Sequence, residues 1–307
     1  MNESYFSHTY TEARQRFKQA ASAVDAVIHS YSTDSDCQEN LTIDVAMIGP
    51  DAAPTIVVSS GVHGIEGFYG SAVQLKLLEQ IREANTELNT RYVLIHAVNP
   101  FGFSHLRRVN EDNVDLNRNF LTTDAECKGA PNDYIRLNHF LNPKSSPSRG
   151  ELFTLKAAWN IFRHGLQPLK QALAGGQYDY PKGVFFGGRT PCQSTKIIDE
   201  NCDAWIGESD HIIHIDLHTG LGPFARHKLL LTETVSSVEY SWYIATFGKT
   251  CVEPMSAPHL TSYHASGTFG DWLREHFASR KYRFVTAEFG TYNICLLYTS
   301  PSPRDRG

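Results

Sequence analysis

The strongest constraint on the fold comes from an apolar run, TIVVS at residues 55–59, that leads through a glycine-rich turn into a helix-like segment. The run predicts a short buried strand, and apolar residues at helical spacing over residues 67–84 predict a helix. Another apolar run at residues 91–98 predicts the next strand, so the three segments form a βαβ unit. We therefore expect an α/β fold, in which a mixed, mostly parallel and twisted sheet is flanked by helices.

Strands and helices also alternate in the remainder of the chain, and no internal repeat or linker interrupts them. The segment 175–194 contains two Gly-Gly pairs and predicts a loop. We interpret residues 1–293 as a single domain and residues 294–307, which lack periodicity, as a non-native or disordered tail. Further strands are expected at residues 41–48, 211–217, 228–231 and 283–287, and further helices at residues 10–30, 151–174, 236–247 and 270–279.

The composition narrows the classes of function. Of the 307 residues, 41% are hydrophobic and 20% are charged, which is typical of a globular protein. A net charge of -5 argues against a nucleic-acid partner, and no apolar run reaches the roughly 20 residues of a membrane span. The N-terminus has no apolar signal core, so we expect a cytoplasmic protein without a membrane partner. The six cysteines include no CxxC pair, which predicts free thiols.

The turn HGIEG, after residues 55–59, carries two side chains that can bind a metal ion. His63 and Glu66 lie three residues apart at a strand-to-helix turn, a place where α/β sheets bind ligands. A catalytic zinc site usually has three protein ligands from histidines and carboxylates, and this pair would supply two of them. The spacing HxxE is common by chance, however, and a turn histidine beside a solvated glutamate is the structural alternative.

A second polar group stands at the end of the predicted strand HIIHIDL. Asp216 and His218 are two residues apart and therefore point to the same face of the strand. Polar groups in a buried strand are costly unless they have partners. His218 lies where a loop begins and can bind a ligand, whereas His214 lies further inside and is expected to be a core histidine. A hydrogen-bonded Asp–His pair that closes the strand is the structural alternative.

The loop RRVNEDNVDLNRNF is unusually dense in charged and amide side chains. Arg107 and Arg108 stand at its start, and Asp115, Asn117 and Arg118 are close together near its end. An arginine can bind a carboxylate through two parallel hydrogen bonds, so Asn117 and Arg118 together can hold a substrate carboxylate. A solvated charged loop is the structural alternative.

Glu288 stands at the end of the predicted strand at residues 283–287, within the sequence AEFG. A glutamate at the end of a buried strand is a candidate general base, because its carboxylate can reach a ligand at the edge of the sheet. A strand-end glutamate that faces water is the structural alternative, and on this residue alone it would be the better interpretation.

Five motifs together resemble a known family. HGIEG, NPFGF, VDLNRNF, DLHTG and AEFG occur in the order found in the zinc carboxypeptidase superfamily, which includes aspartoacylases and succinylglutamate desuccinylases. The resemblance covers roughly residues 55–292, and VDLNRNF is its most specific motif. It implies a zinc carboxypeptidase-like fold of the phosphorylase/hydrolase type, and it is nearest to a cytoplasmic branch of bacterial type.

The resemblance also implies a role for each matching residue. One Zn²⁺ ion per chain would be bound, and Asp115 would orient one of the histidine ligands. The ligands would be His63, Glu66 and His218; Asn117 and Arg118 would bind the substrate carboxylate; Glu288 would be the general base; and Arg108, or else Arg107, would stabilise the oxyanion. Tyr263 and Tyr292 are positional candidates for the tyrosine that carboxypeptidases carry on a mobile loop, and substrate specificity is expected to reside in residues 128–207.

These features predict a zinc metallohydrolase of amide bonds, carboxypeptidase-like, in which Glu288 acts on a zinc-activated water. Its substrate would be a small peptide or an N-acyl amino acid with a free carboxylate. An aspartoacylase-like deacylase of N-acyl amino acids is the alternative enzyme, because both activities need zinc, a base and a carboxylate-binding arginine. A non-catalytic binding protein on the same fold is the alternative of another class, although the presence of Glu288 argues against it.

Overall fold

The computed structural model describes residues 3–33, 40–84, 86–121, 127–143, 159, 162–163, 175–231, 235–254 and 266–291. Strands and helices alternate along most of this length. The strands are β1 (Val27–Ser32), β2 (Thr42–Ile48), β3 (Thr55–Ser60), β4 (Arg91–His96), β5 (His211–Thr219), β6 (His227–Leu231), β7 (Val252–Pro254) and β8 (Lys281–Phe289). The helices are α1 (Tyr10–Ser22), α2 (Gly67–Ala84), α3 (Pro100–Ser104), α4 (Asn132–Leu141), α5 (Gln193–Ile206), α6 (Ser237–Phe247) and α7 (Phe269–His276), with short 3₁₀ turns η1 (Glu3–Tyr5), η2 (Gly64–Glu66) and η3 (Leu116–Arg118).

The described strands form one sheet in the order β1-β2-β4-β3-β5-β8-β6-β7. β3 pairs in parallel with β4 and β5, β5 pairs in parallel with β8, and β6 pairs in parallel with β7. The remaining pairs, β1–β2, β2–β4 and β6–β8, are antiparallel. The prediction of a mixed, mostly parallel sheet flanked by helices is therefore confirmed.

The two faces of the sheet are covered by different helices. Alternate residues of a strand point to opposite faces, and Val57 and Val58 of β3 accordingly belong to two separate apolar clusters. The cluster around Val57 includes side chains of α5 and α7, such as Trp205 and Phe269. The cluster around Val58 includes side chains of α1, α2 and α6. Helices on both faces leave the ends of the parallel strands as the open edge of the fold.

The order of the strands reverses between β3 and β5. The chain passes from β3 through α2 to β4 on one side, whereas β5 lies on the other side of β3 and continues the sheet toward β8. In open α/β sheets, ligands bind outside the carboxyl ends of the strands where the order reverses in this way. The polar residues that follow β3 and end β5 therefore lie side by side at this edge of the sheet.

The predicted helix over residues 10–30 is wrong in its second half. α1 ends at Ser22, and Asp25 has a φ of 55°, a left-handed conformation that cannot continue a helix. The following residues form β1, in which Val27 pairs with Met47 of β2 in an antiparallel ladder. The gain from pairing with β2 outweighs the local helix preference here, as tertiary contacts commonly do.

Some of the predicted segments lie outside the described residues. The predicted helix at residues 151–174 falls outside the described residues except at positions 159, 162 and 163, and Tyr263, Tyr292 and the tail at residues 294–307 lie outside them altogether. The sequence patterns do not predict α3, α4, α5 and β7. None of the helices within the described ranges combines the length and apolar character that a membrane crossing requires.

Candidate metal centre

A tight turn between β3 and α2 brings His63 and Glu66 together. Gly61 has a φ of 67°, a conformation that favours glycine, and there the chain turns out of the sheet. In η2 the backbone N–H of Glu66 donates to the carbonyl of His63 at 3.0 Å. The side chains of His63 and Glu66 are 6% and 10% exposed, and His63 Nδ1 lies 2.8 Å from Glu66 Oε1. The local turn alone thus holds two metal-binding groups in contact.

His218 completes a group of three metal-binding side chains. It stands near the end of β5, the neighbour of β3, and its Nδ1 is 3.4 Å from Glu66 Oε2. The imidazole rings of His63 and His218 meet edge to face, with 4.8 Å between their centroids. One donor atom from each of the three residues lies within 4.8 Å of the others, which is close enough to share one metal ion. The structure thus brings together the three predicted zinc ligands.

A buried carboxylate lies behind each histidine. Asp115 Oδ1 is 3.4 Å from His63 Nε2, and Asp216 Oδ2 is 2.5 Å from His218 Nε2. A carboxylate that accepts from Nε2 fixes the orientation of the ring and leaves the lone pair of Nδ1 for a metal. Asp115 lies where the resemblance predicted it. Asp216 was interpreted only as the partner that closes the strand, and its D-x-H spacing was the signal for this role.

Arg108 reaches the same cluster from the loop after α3. Its Nη2 lies 2.6 Å from His63 Nε2, and its Nε donates to Asp115 Oδ2 at 3.0 Å. Because a guanidinium only donates, His63 Nε2 accepts here, and the proton of a neutral ring lies on Nδ1, facing Glu66. A metal bound through Nδ1 needs the other tautomer, with Nε2 donating to Asp115 and Arg108 displaced from it. Arg107 instead contributes its backbone carbonyl, which accepts a hydrogen bond from the backbone N–H of Ile65 in η2 at 2.9 Å.

When no metal is bound, Glu66 holds the three predicted ligands together, through opposite charge with His218 and a hydrogen bond with His63. Burial alone would raise the pKa of Glu66, but His63 and His218 hold that pKa below its usual range. Burial alone would lower the pKa of His218, but the carboxylates of Asp216 and Glu66 raise it well above its usual value. The metal-free centre therefore holds a proton on His218, which a metal ion would displace on binding.

Glu288 lies beside this centre at the end of β8. It is the register partner of His218 in the parallel pair β5–β8, and its Oε1 accepts from the backbone N–H of Leu221 at 2.8 Å. Burial and the nearby Glu66 carboxylate raise the pKa of Glu288 to about 7. A carboxyl group with such a pKa can take up and release a proton near neutral pH, as a general base must.

Asn117 and Arg118 lie on η3, behind the Asp115 side of the centre. Arg118 is 0% exposed, its Nη1 donates to the backbone carbonyl of Asn117 at 2.5 Å, and Gly176 packs against its side chain. Asn117 is half-buried, and its Oδ1 accepts from the backbone N–H of Phe269 at 3.0 Å. Direct contact between Arg118 and a substrate carboxylate therefore requires the residues that cover it to move, and this role stays a prediction.

The donor set fits zinc. Two imidazole nitrogens and one carboxylate form a ligand set of catalytic zinc sites, which leave one position for water or substrate. A second group, Cys202, Asp203 and His276, also brings its donor atoms within 4.8 Å of one another. Burial raises the pKa of the Cys202 thiol to about 12, and a metal binds the thiolate. Among the described residues, the group at the end of β3 and β5 is thus the better metal centre.

Comparison with known proteins gives a family but no activity. The model of a family described as "Protein of unknown function (DUF2817)" matches residues 6–301. This range includes every predicted site residue from His63 to Glu288. No curated protein matches the chain significantly.

Solved structures of metallocarboxypeptidases share the fold. Carboxypeptidase A from Helicoverpa armigera matches with a TM-score of 0.53 and 15% identity, over 93% of this chain and 65% of that one. The metallo-carboxypeptidase from Pseudomonas aeruginosa, in complex with (2-guanidinoethylmercapto)succinic acid, matches with a TM-score of 0.50 and 12% identity, over 95% and 64%. That from Burkholderia cenocepacia also has a TM-score of 0.50 and 12% identity, over 95% and 63%. The chain spans less than two thirds of each, and the expected carboxypeptidase-like fold is confirmed.

Proposed function

The chain belongs to the DUF2817 family, and from this starting point we propose that it is a zinc-dependent hydrolase of amide bonds with a carboxypeptidase-like activity. The observation that carries the proposal is the convergence of His63, Glu66 and His218, whose donor atoms lie within 4.8 Å of one another. A set of three such ligands is typical of catalytic zinc, whereas structural zinc is usually held by four. The fold shared with metallocarboxypeptidases supports the same class of reaction.

His63, Glu66 and His218 would hold the zinc ion, which when bound polarises a carbonyl and makes a water acidic. Glu288 would act as the general base and then as the general acid. It accepts a proton from the attacking water and returns it to the leaving nitrogen of the amide. A pKa of about 7 in the metal-free centre, raised by burial and by Glu66, suits a carboxylate that must both accept and donate.

Arg108 would stabilise the negative charge that develops on the carbonyl oxygen of the substrate. Its side chain is 32% exposed, and its Nη1 is 3.8 Å from Glu66 Oε1, so the guanidinium borders the metal centre and still faces solvent. Donors placed where charge develops are usually the largest single contribution to catalysis in acyl transfer. Of the two neighbouring arginines, Arg108 has the side-chain position that suits this role.

The substrate would carry a free carboxylate next to the amide that is cleaved, as in a small peptide or an N-acyl amino acid. We assign that carboxylate to Asn117 and Arg118. Because Arg118 is fully buried, the residues packed on it, including Gly176, would have to move on binding. The metallo-carboxypeptidase of Pseudomonas aeruginosa was solved with a substituted succinic acid, a small carboxylate ligand. A bound carboxylate would place the amide over the metal centre in a fixed orientation.

The deciding experiment is the metal content of the purified chain beside the double variant His63→Ala, His218→Ala. We expect about one zinc per chain in the parent and none in the double variant, because two of three ligands are removed. The matched control is His8→Ala, His29→Ala, which removes two exposed histidines and should keep the zinc. A folded parent without zinc, or equal zinc in the double variant, would refute the proposed metal centre.

A substrate panel then separates the two enzyme activities. The zinc-loaded protein is assayed with short peptides and with N-acyl amino acids. Each substrate is prepared with its terminal carboxyl group either free or as the amide. Release of a C-terminal residue supports the carboxypeptidase-like activity, and release of the acyl group supports the deacylase. Equal turnover of acids and amides would contradict a carboxylate site at Asn117 and Arg118, while turnover of neither class favours a binding protein.

A further inference from the structure

A chain of hydrogen bonds runs from the metal centre into the core of the sheet. Beyond His218, the second oxygen of Asp216, Oδ1, accepts from Ser59 Oγ at 2.6 Å. Ser59 Oγ also lies 2.7 Å from His214 Nε2, and His214 Nδ1 lies 2.6 Å from the hydroxyl of Tyr282. These residues belong to β3, β5 and β8, and none of them is more than 5% exposed.

The chemistry of the partners gives this chain one direction. An ionised carboxylate only accepts, so the Ser59 hydroxyl donates to Asp216. The oxygen of Ser59 then accepts from His214, which places the proton of the neutral imidazole on Nε2. The other nitrogen of His214 accepts from the Tyr282 hydroxyl. Every donor along the chain is used, and Asp216 receives hydrogen bonds from both Ser59 and His218.

This chain of hydrogen bonds lies among apolar side chains. The ring of His214 packs edge-on against Phe269 and Phe284, with 5.4 Å and 4.9 Å between ring centroids. Polar groups among aromatic rings are costly unless each one is hydrogen-bonded, and a fully satisfied network makes its members rigid. Apolar side chains would fill the same space without this cost. The network therefore fixes the orientation of the carboxylate at its end.

We propose that Ser59, His214 and Tyr282 are positioning residues of the metal centre, which hold the Asp216 carboxylate so that His218 keeps its Nδ1 lone pair directed at the metal. The inference rests on the proposed function in one respect, that His218 is a metal ligand. Partners behind a ligand set its orientation and basicity, and their loss typically lowers metal affinity by about 10- to 100-fold. A network that served packing alone would leave the metal affinity unchanged.

The first test measures zinc affinity by competition with a chromophoric chelator. Ser59→Ala removes the hydrogen bond to Asp216 and should weaken zinc binding by about 10-fold or more. The matched control is Ser60→Ala on the same strand, since Ser60 is equally buried but its hydroxyl donates to Gln74 Oε1 at 3.2 Å on the other face. That control should keep the affinity of the parent. Tyr282→Phe, which removes only the last donor, should cause a smaller loss than Ser59→Ala.

The outcomes separate this inference from the proposed function. If the parent binds no zinc, the proposed function fails. If the parent binds zinc and Ser59→Ala binds it as tightly as Ser60→Ala, the inference is overturned and the proposed function stands. If Ser59→Ala does not fold, Tyr282→Phe decides, and an affinity equal to the parent's overturns the inference.

The second test needs no metal. Nitrogen-15 NMR of the metal-free chain reports which imidazole nitrogen of a histidine carries the proton. We expect the Nε2–H tautomer for His214 in the parent, and a changed nitrogen shift of His218 in Ser59→Ala but not in Ser60→Ala. The Nδ1–H tautomer for His214, or an unchanged shift of His218 in Ser59→Ala, would show that the chain does not act on His218.

Discussion

Four buried histidines show how the immediate neighbours of a side chain decide its chemistry. His63 and His218 each have a carboxylate near Nε2, so that Nδ1 can serve a metal. His214 has only hydroxyl partners, and burial lowers its pKa to about 4. His96 stacks on Phe17 with 4.6 Å between ring centroids, and burial lowers its pKa to about 4 as well. The same side chain is therefore a proposed metal ligand in two places and an uncharged core group in two others.

At the residue scale we predict that Glu288→Gln keeps its zinc and loses most of its turnover. An amide cannot accept the proton that the carboxylate accepts, and such general-base losses are typically about 10²- to 10⁴-fold in kcat. Zinc content and kcat are measured together on a substrate from the panel. The exposed Glu275→Gln is the control and should match the parent in both. Turnover by Glu288→Gln at the parent rate would remove Glu288 from the role of base.

At the scale of elements, the position of the metal centre depends on how η2 packs on α3. A Cβ atom on Gly64 would lie only 2.1 Å from the carbonyl carbon of Gly102, so the two backbones are in contact. The backbone N–H of Gly64 also donates to the carbonyl of Arg108 at 3.2 Å. This contact ties the turn that carries His63 and Glu66 to the loop that carries Arg108.

We therefore predict that Gly64→Ala damages both stability and metal binding. The methyl group must push η2 away from α3, and such overpacking typically costs about 1–3 kcal/mol in the free energy of unfolding. Displacement of the turn should also weaken zinc binding, which is measured by chelator competition beside urea unfolding. Ile65→Ala is the control in the same turn, since Ile65 is 47% exposed. A Gly64→Ala chain with parental zinc affinity would contradict the dependence on this contact.

At the scale of the whole molecule, the sheet holds two of its buried histidines, His96 and His214, uncharged, and this makes folding stability depend on pH. The pKa of His96 is about 4 in the folded chain and about 6.5 in an unfolded one. Between these values the unfolded state binds more protons, so the contribution to stability is complete above pH 6.5 and is lost as the pH falls toward 4. The expected loss from His96 is on the order of 2 kcal/mol at pH 5.

This prediction is checked by urea unfolding of the metal-free chain at pH 7.5 and pH 5. The parent should lose more of its free energy of unfolding between these pH values than His96→Gln, which has no group to protonate there. His8→Gln, at an exposed position, should lose as much as the parent. Equal losses in the parent and His96→Gln would show that His96 is not held uncharged by the fold.

Much of the fold could be read from local patterns. The period of apolar residues depends only on neighbouring positions, which is why β3, α2 and β4 were found close to their predicted bounds. The pairing of His63 with Glu66 was also available, because both belong to one turn. The strand β1 was missed because residues 27–32 form a strand only through pairing with β2, and a local pattern contains no information about that partner.

The sequence by itself determined which chemical groups the chain offers and on which elements they stand. Only the tertiary structure decided which of them meet. The order of strands places β3 beside β5 and so brings His63 to His218, 155 residues further along the chain, and it joins Ser59 to Tyr282 through His214. It also brings Arg108 rather than Arg107 to the metal centre and buries Arg118. Such contacts depend on the packing of the whole sheet, and therefore on all the segments together rather than on any one of them.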